Sequence, residues 1–88
     1  MEIRLIEESE KDLAYWQKKH NTKTLKRISE LVAAILENPK TGIGNPEQLR
    51  YGLSGYWSRR IDKENRIVYR IDTDNDIIWI VSLKGHYQ

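Results

Sequence analysis

The sequence predicts an α+β domain in which two helices cover one face of a mainly antiparallel sheet. Three observations carry that prediction. Leu25, Ile28, Leu31, Val32, Ile35 and Leu36 form one apolar stripe at helical spacing. Residues 54–71 and 77–83 instead alternate apolar with polar side chains, the period of a half-buried strand. The order is one strand, two neighbouring helices, a short strand and then three strands. That order puts both helices on the same side of the sheet.

In chain order, Ile3 and Leu5 alternate with Glu2 and Arg4, giving a short first strand. Ser9 has the chemistry of an N-cap, with Asp12 three residues on as a weak capping box. The helix it opens carries Leu13 and Trp16 on one face and runs to about His20. A cation suits that C-terminal position. Asn21 and Thr22 break the chain and cap a second helix. Asn38-Pro39 stops it, because the residue before a proline is pushed out of the helical region. Residues 41–46 form a loop with two glycines, and residues 48–51 a short strand. A three-stranded meander follows, with turns at 62–65 and 72–76.

Alternation then assigns faces. If odd-numbered residues point inward, Trp57, Ile61, Ile67, Tyr69, Ile71, Ile77, Trp79, Val81 and Leu83 meet the helices. Tyr56, Ser58, Arg60, Arg66, Arg70, Ser82, Lys84 and His86 then share the opposite, open face. A loop at 62–64 keeps Arg60 and Arg66 together, and one at 73–75 pairs Tyr69 with Trp79. A slip of one residue in either hairpin would bury the arginines and expose the core.

Composition narrows the class without naming a function. The 88 residues suffice for one domain, taken as 1–88, with a small core. There are 15 Lys+Arg against 13 Asp+Glu, a net charge of +2, so any anion binding must come from local placement. There is no cysteine, hence no disulfide framework, and a reducing compartment is permitted. No apolar run is long enough to span a bilayer, and Met1-Glu2-Ile3-Arg4 does not open a signal peptide. A cytoplasmic domain with no membrane contact is the expectation. No His/Cys cluster or paired-carboxylate motif suggests a metal, and no cofactor is expected.

Each candidate has an ordinary explanation beside it. Arg59-Arg60 is the densest basic spot in the strands, and such pairs are commonly solvated or ion-paired. Arg66 follows a turn next to Glu64. Glu47 ends a loop after Asn45-Pro46, and strand alternation does not nominate it. His86 lies near the C-terminus, where residues usually fray, although it continues a buried strand. Tyr56 and Tyr87 have rings that suit stacking on a base. Together, a carboxylate, a histidine and two or three arginines around a phosphate-sized gap suffice to cleave RNA without a metal. The 2′-hydroxyl must lose a proton, the 5′-oxygen must gain one, and guanidinium groups stabilise the phosphorane between.

The sequence resembles the YoeB/Txe-type toxins of bacterial type II toxin–antitoxin systems, within the wider RelE group. The residues that carry this are Glu7-Glu8-Ser9 with Tyr15-Trp16 and Gly44-Asn45-Pro46-Glu47 with Leu49. Further on they are LSGYWSRRI at 53–61, Asn65-Arg66-Ile67-Val68-Tyr69 and His86-Tyr87. The likeness spans essentially the whole chain.

It implies a microbial-RNase-like α+β fold and cleavage of messenger RNA on the translating ribosome. It also implies inhibition by a cognate antitoxin, and dimerisation. By resemblance Glu47 matches the general base, Arg66 the group that stabilises the transition state, and His86 the general acid. Tyr87 lies at the site's edge, Arg60 matches an accessory phosphate contact, and Arg50 stands where some members have lysine. Arg50, Arg59, Arg60 and Tyr87 are therefore the expected RNA contacts. Glu47 and His86 both remain eligible as the base. Gln88 after the tyrosine is a departure from the family pattern. Two rivals stand beside the nuclease: a non-catalytic RNA- or ribosome-binding module on the same face, and a protein-interaction domain whose open face is merely solvated.

Overall fold

Seven elements form within residues 1–50 and 55–85, the part of the chain that the computed structural model describes. They are β1 (Glu2–Leu5), α1 (Glu7–Lys18), α2 (Thr22–Glu37), β2 (Glu47–Gln48), β3 (Tyr56–Arg60), β4 (Arg66–Asp72) and β5 (Ile77–Ser82). The sheet order is β1-β5-β4-β3-β2. β1 runs parallel to β5, and every other pairing is antiparallel. The predicted fold class is therefore the observed one. No helix among the described residues is long and apolar enough to cross a membrane.

α1 starts earlier than the serine rule suggests. Its N-cap is Ile6, extended at φ −88° and ψ 171°, with no side-chain cap. Glu7, Glu8 and Glu10 crowd the first turn, where negative charge suits the helix dipole. Ser9 is instead fully buried inside the helix. Its hydroxyl proton is shared between Ile80 O at 2.7 Å and Ile6 O at 2.9 Å, which ties α1 to β5. At the other end His20 adopts a positive φ of 53°. His20 N–H donates to Gln17 O and Asn21 N–H to Trp16 O, the paired bonds of a Schellman stop. Asn21 then caps α2, its side chain accepting from Thr24 N–H at 3.1 Å, as expected from the sequence.

The stripe on α2 buries Ile28, Leu31 and Ile35 and covers Leu25 and Val32 partly, but Leu36 at its end is exposed. Against it pack Ile67, Tyr69, Ile78, Ile80, Leu83 and Trp16. Burying each such side chain contributes about 1.5–3 kcal/mol, and this shared cluster is what fixes the helices to one face.

The first hairpin keeps the expected register: Arg60 stands opposite Arg66, and Trp57 opposite Tyr69. The second does not. Asp72 pairs with Ile77, so the connection is residues 73–76, one longer than expected, and Tyr69 faces Ile80 rather than Trp79. An even-length loop inverts the faces of β5. Ile78 and Ile80 therefore fill the core, and Trp79 lies half-buried on the outer face. There its indole N–H donates to Asp72 at 3.2 Å, and the Arg4 guanidinium lies 5.9 Å from its ring. The register shifts again between Val68 and Tyr69, where β5 carries one extra residue, Val81. That bulge restores the original alternation. Ser82 returns to the outer face opposite Val68, and Leu83 to the core.

Candidate active site

The outer face at the β2 end of the sheet gathers the charged candidates. β2 pairs with β3 so that Glu47 lies opposite Ser58, which in turn faces Val68. Ser58 is small and buried, so the longer side chains of β2 and β4 reach across β3 above it. Glu47 Oε2 comes within 3.9 Å of Arg66 Nη1. That is an ion pair, longer than a hydrogen bond. Arg66 Nη1 is itself buried and has no hydrogen-bond acceptor among the described residues. Asn45, held at φ 54°, donates its side-chain N–H to Glu47 Oε1 at 3.3 Å. The carboxylate is thus aimed from both sides while its own side chain stays about half exposed.

Arg60 is exposed and stands directly across from Arg66. Like charges opposite each other in a sheet destabilise it. An anion seated between them would offset that cost. Arg50 is exposed as well, and Glu47, Gln48, Leu49 and Arg50 line one shallow surface groove.

The tail is brought to the same place. Trp16 N–H donates to Leu83 O at 2.9 Å, and Asp12 accepts from Leu83 N–H at 2.9 Å. Gly85 O accepts from Arg66 N–H at 2.8 Å, and Gly85 N–H donates to Asn65 Oδ1 at 2.9 Å. The chain is therefore secured beside Arg66 as far as Gly85. His86 and Tyr87 lie outside the described residues.

Four assignments need correcting. Arg59 is not a phosphate contact. Its odd position turns it inward, where it is fully buried and donates to Tyr69 Oη, Ile43 O, Asn38 O and Thr41 O. Lys84 leaves the open face, its ammonium lying 4.3 Å from the centre of the Tyr15 ring on α1. Arg70 is no free cation either, for it pairs with Asp72 at 3.6 Å. Asp12, expected in a capping box, is instead an anchor for the tail.

Among the described residues three side chains have displaced acidities, and all support turns or core rather than this face. Burial raises the Tyr69 hydroxyl, with the Arg59 guanidinium working against it. The Asn75 side chain, then the Trp79 indole, hold Asp72 below the usual carboxylate range. At Asp62 burial favours the neutral form. Hydrogen bonds from Glu64 and Asn65 and the charge of Lys23 together outweigh it and keep the group low.

Glu47 is the residue that strand alternation missed. Its face is set by the pairing of β2 with β3, across a connection whose strand ends the sequence leaves open. The signal was the resemblance alone.

Comparison with known proteins agrees with the fold. Residues 5–87 match the family described as YoeB-like toxin of bacterial type II toxin–antitoxin system. Toxin YoeB of Synechocystis is 51% identical over 73 residues, 83% of each chain. The YoeB/ParE toxin from Agrobacterium tumefaciens superposes with a TM-score of 0.92 at 31% identity, covering 99% of this chain and 100% of that one. Staphylococcus aureus YoeB, solved in a YoeB–YefM complex, gives 0.85 at 41% identity over 99% and 98% of the two chains. It has also been solved as a dimer, which gives 0.87 at 40% identity with the same coverage. With its fold shared and its length matched almost end to end, this chain belongs to the YoeB-like toxins of bacterial type II toxin–antitoxin systems.

Proposed function

We propose that this toxin is an endoribonuclease that cleaves messenger RNA on the translating ribosome and so inhibits translation in the cytoplasm. The observation that carries the proposal is the Glu47–Arg66 pair. A carboxylate lies 3.9 Å from a guanidinium nitrogen that lacks a hydrogen-bond acceptor among the described residues. A phosphate oxygen supplies the missing acceptor, and a 2′-hydroxyl beside it comes within reach of the carboxylate.

The mechanism follows from those groups. Glu47 takes the proton of the 2′-hydroxyl, whose oxygen attacks the adjacent phosphorus. Arg66, with Arg60 across the strand, stabilises the phosphorane as charge accumulates on it. His86 gives a proton to the departing 5′-oxygen. The products are a 2′,3′-cyclic phosphate and a 5′-hydroxyl. Each proton transfer is typically worth about 10²–10⁴-fold, and removing one transition-state donor costs about 10²–10³-fold. Arg50, Arg60 and Tyr87 hold the strand.

A cognate antitoxin that covers this face is the expected protein partner. The Staphylococcus aureus relative solved with YefM supports that, and its dimer supports self-association.

The test is end-group analysis of a defined messenger in a purified translation system, with wild type, Glu47→Ala and His86→Ala in parallel. Discrete cuts bearing cyclic phosphate and 5′-hydroxyl ends, lost in both variants, are expected. Ribosome binding without any cut product would instead leave a binding module. Cleavage undiminished in Glu47→Ala would remove that residue as the base.

A further inference from the structure

We infer that Arg59 is a positioning residue for Glu47: together with Tyr69 it fixes the 38–44 loop that delivers the carboxylate opposite Arg66. The inference rests on the ribonuclease function proposed above. Arg59 has none of its surface exposed, and no ion pair among the described residues involves it. Its guanidinium is satisfied by neutral oxygens alone. Nη2 donates to Asn38 O at 2.6 Å and Thr41 O at 2.9 Å, and Nη1 to Ile43 O at 3.1 Å. Nε donates to Tyr69 Oη at 3.1 Å, and the Tyr69 hydroxyl passes its own proton to Pro39 O at 2.6 Å. Four carbonyls of one loop are held by two side chains from the middle of the sheet.

A buried charge is costly, and a well-packed apolar residue of similar size often stabilises a fold as well or better. What an apolar residue cannot do is specify the path of a backbone. The planar fork of arginine can, because it fixes direction as well as distance. The loop lies tightly against it. A Cβ on Gly42 would come within 3.0 Å of Arg59 Nη1, and one on Gly44 within 2.7 Å of Leu31 Cδ2. Both glycines have positive φ, at 122° and 85°. Gly44 O then accepts from Arg60 N–H at 2.7 Å. Asn45, Pro46 and Glu47 follow, and the side chain of Glu47 emerges on the opposite side of the sheet. Anchoring on the inner face thus sets where the carboxylate stands on the outer one.

The experiment is a double-mutant cycle between Arg59→Lys and Glu47→Ala, with Tyr69→Phe as a second, milder route into the same network. Single-turnover cleavage on programmed ribosomes is measured below each variant's melting temperature, together with ribosome affinity. A displacement of the carboxylate by about 1 Å is worth roughly 10²-fold. Arg59→Lys is therefore expected to slow cleavage by about 10–100-fold with affinity unchanged, and Tyr69→Phe by less. Neither should slow the Glu47→Ala enzyme further. Tyr69→Phe keeps the buried ring, so it carries the cycle if Arg59→Lys does not fold. Full-rate cleavage by the folded variants, or losses that simply add to that of Glu47→Ala, would overturn the inference alone. A wild type that cuts nothing would overturn the ribonuclease function and the inference with it.

Discussion

Arg59 is wholly buried and donates to four oxygens, whereas Arg60, one residue on, is exposed on the other face of β3 and stands across from Arg66. The residue type is the same and the strand is the same. Only the side differs, and with it the physical consequence. On the inner face the guanidinium is desolvated, and backbone carbonyls offset that cost. On the outer face two guanidiniums oppose each other, a cost that a bound anion would offset. One face determines shape, and under the proposed function the other carries the reactive groups.

The sharpest way to break this comparison is to truncate each arginine in turn. Arg59→Ala strands the carbonyls of Asn38, Thr41 and Ile43 and the Tyr69 hydroxyl. A buried unpaired polar group costs about 1–3 kcal/mol. A loss of about 3 kcal/mol or more in urea unfolding is expected, and a loss below about 1 kcal/mol would mean the loop holds itself.

Arg60→Thr should do the reverse. It relieves a like-charge cross-strand pair, so stability should rise by about 0.2–1 kcal/mol. A charge-assisted bond to phosphate is worth about 1.5–3 kcal/mol, so ribosome affinity or cleavage should fall about tenfold or more. A Arg60→Thr protein that is both less stable and fully active would contradict the assignment.

The smallest effect belongs to Asp62, whose carboxylate accepts from Glu64 N–H and Asn65 N–H, both at 2.8 Å, and so shapes the β3–β4 turn. Its folded-state pKa is held below the ordinary aspartate range. The stabilisation is therefore fully present above about pH 4 and is lost as pH falls through the lower folded-state value. Asp62→Asn should flatten the acid limb of the stability curve and leave neutral-pH activity alone. An unchanged acid limb would show that the turn does not depend on the charge.

What the sequence made legible follows the length over which a rule must hold. Alternation within β3 and β4 is local, and it placed Arg60 and Arg66 on one face correctly. Applied consistently, it also turns Arg59 inward, but the doubled arginine invited a phosphate role for both. The β4–β5 turn is one residue longer than alternation assumed, so Trp79 was sent to the core in place of Ile78 and Ile80. The bulge at Val81 undoes that error just before the tail, which is why Ser82 and Leu83 were placed correctly. Ser9 carries the chemistry of a cap, but tertiary burial against Ile80 outweighed that local preference. Glu47 acquires its face only through pairing with β3, so alternation could not nominate it. Its proposed role came from the family likeness alone.

The central claim is that the outer face reacts and does not hold the fold. The most direct test is Arg66→Ala, with single-turnover cleavage on programmed ribosomes and thermal unfolding measured on the same preparation. The account predicts a rate at least about 10²-fold lower, with a melting temperature close to wild type, since among the described residues the side chain makes no hydrogen bond and a single ion pair, the long one to Glu47. A folded Arg66→Ala that cleaves at the wild-type rate would contradict it.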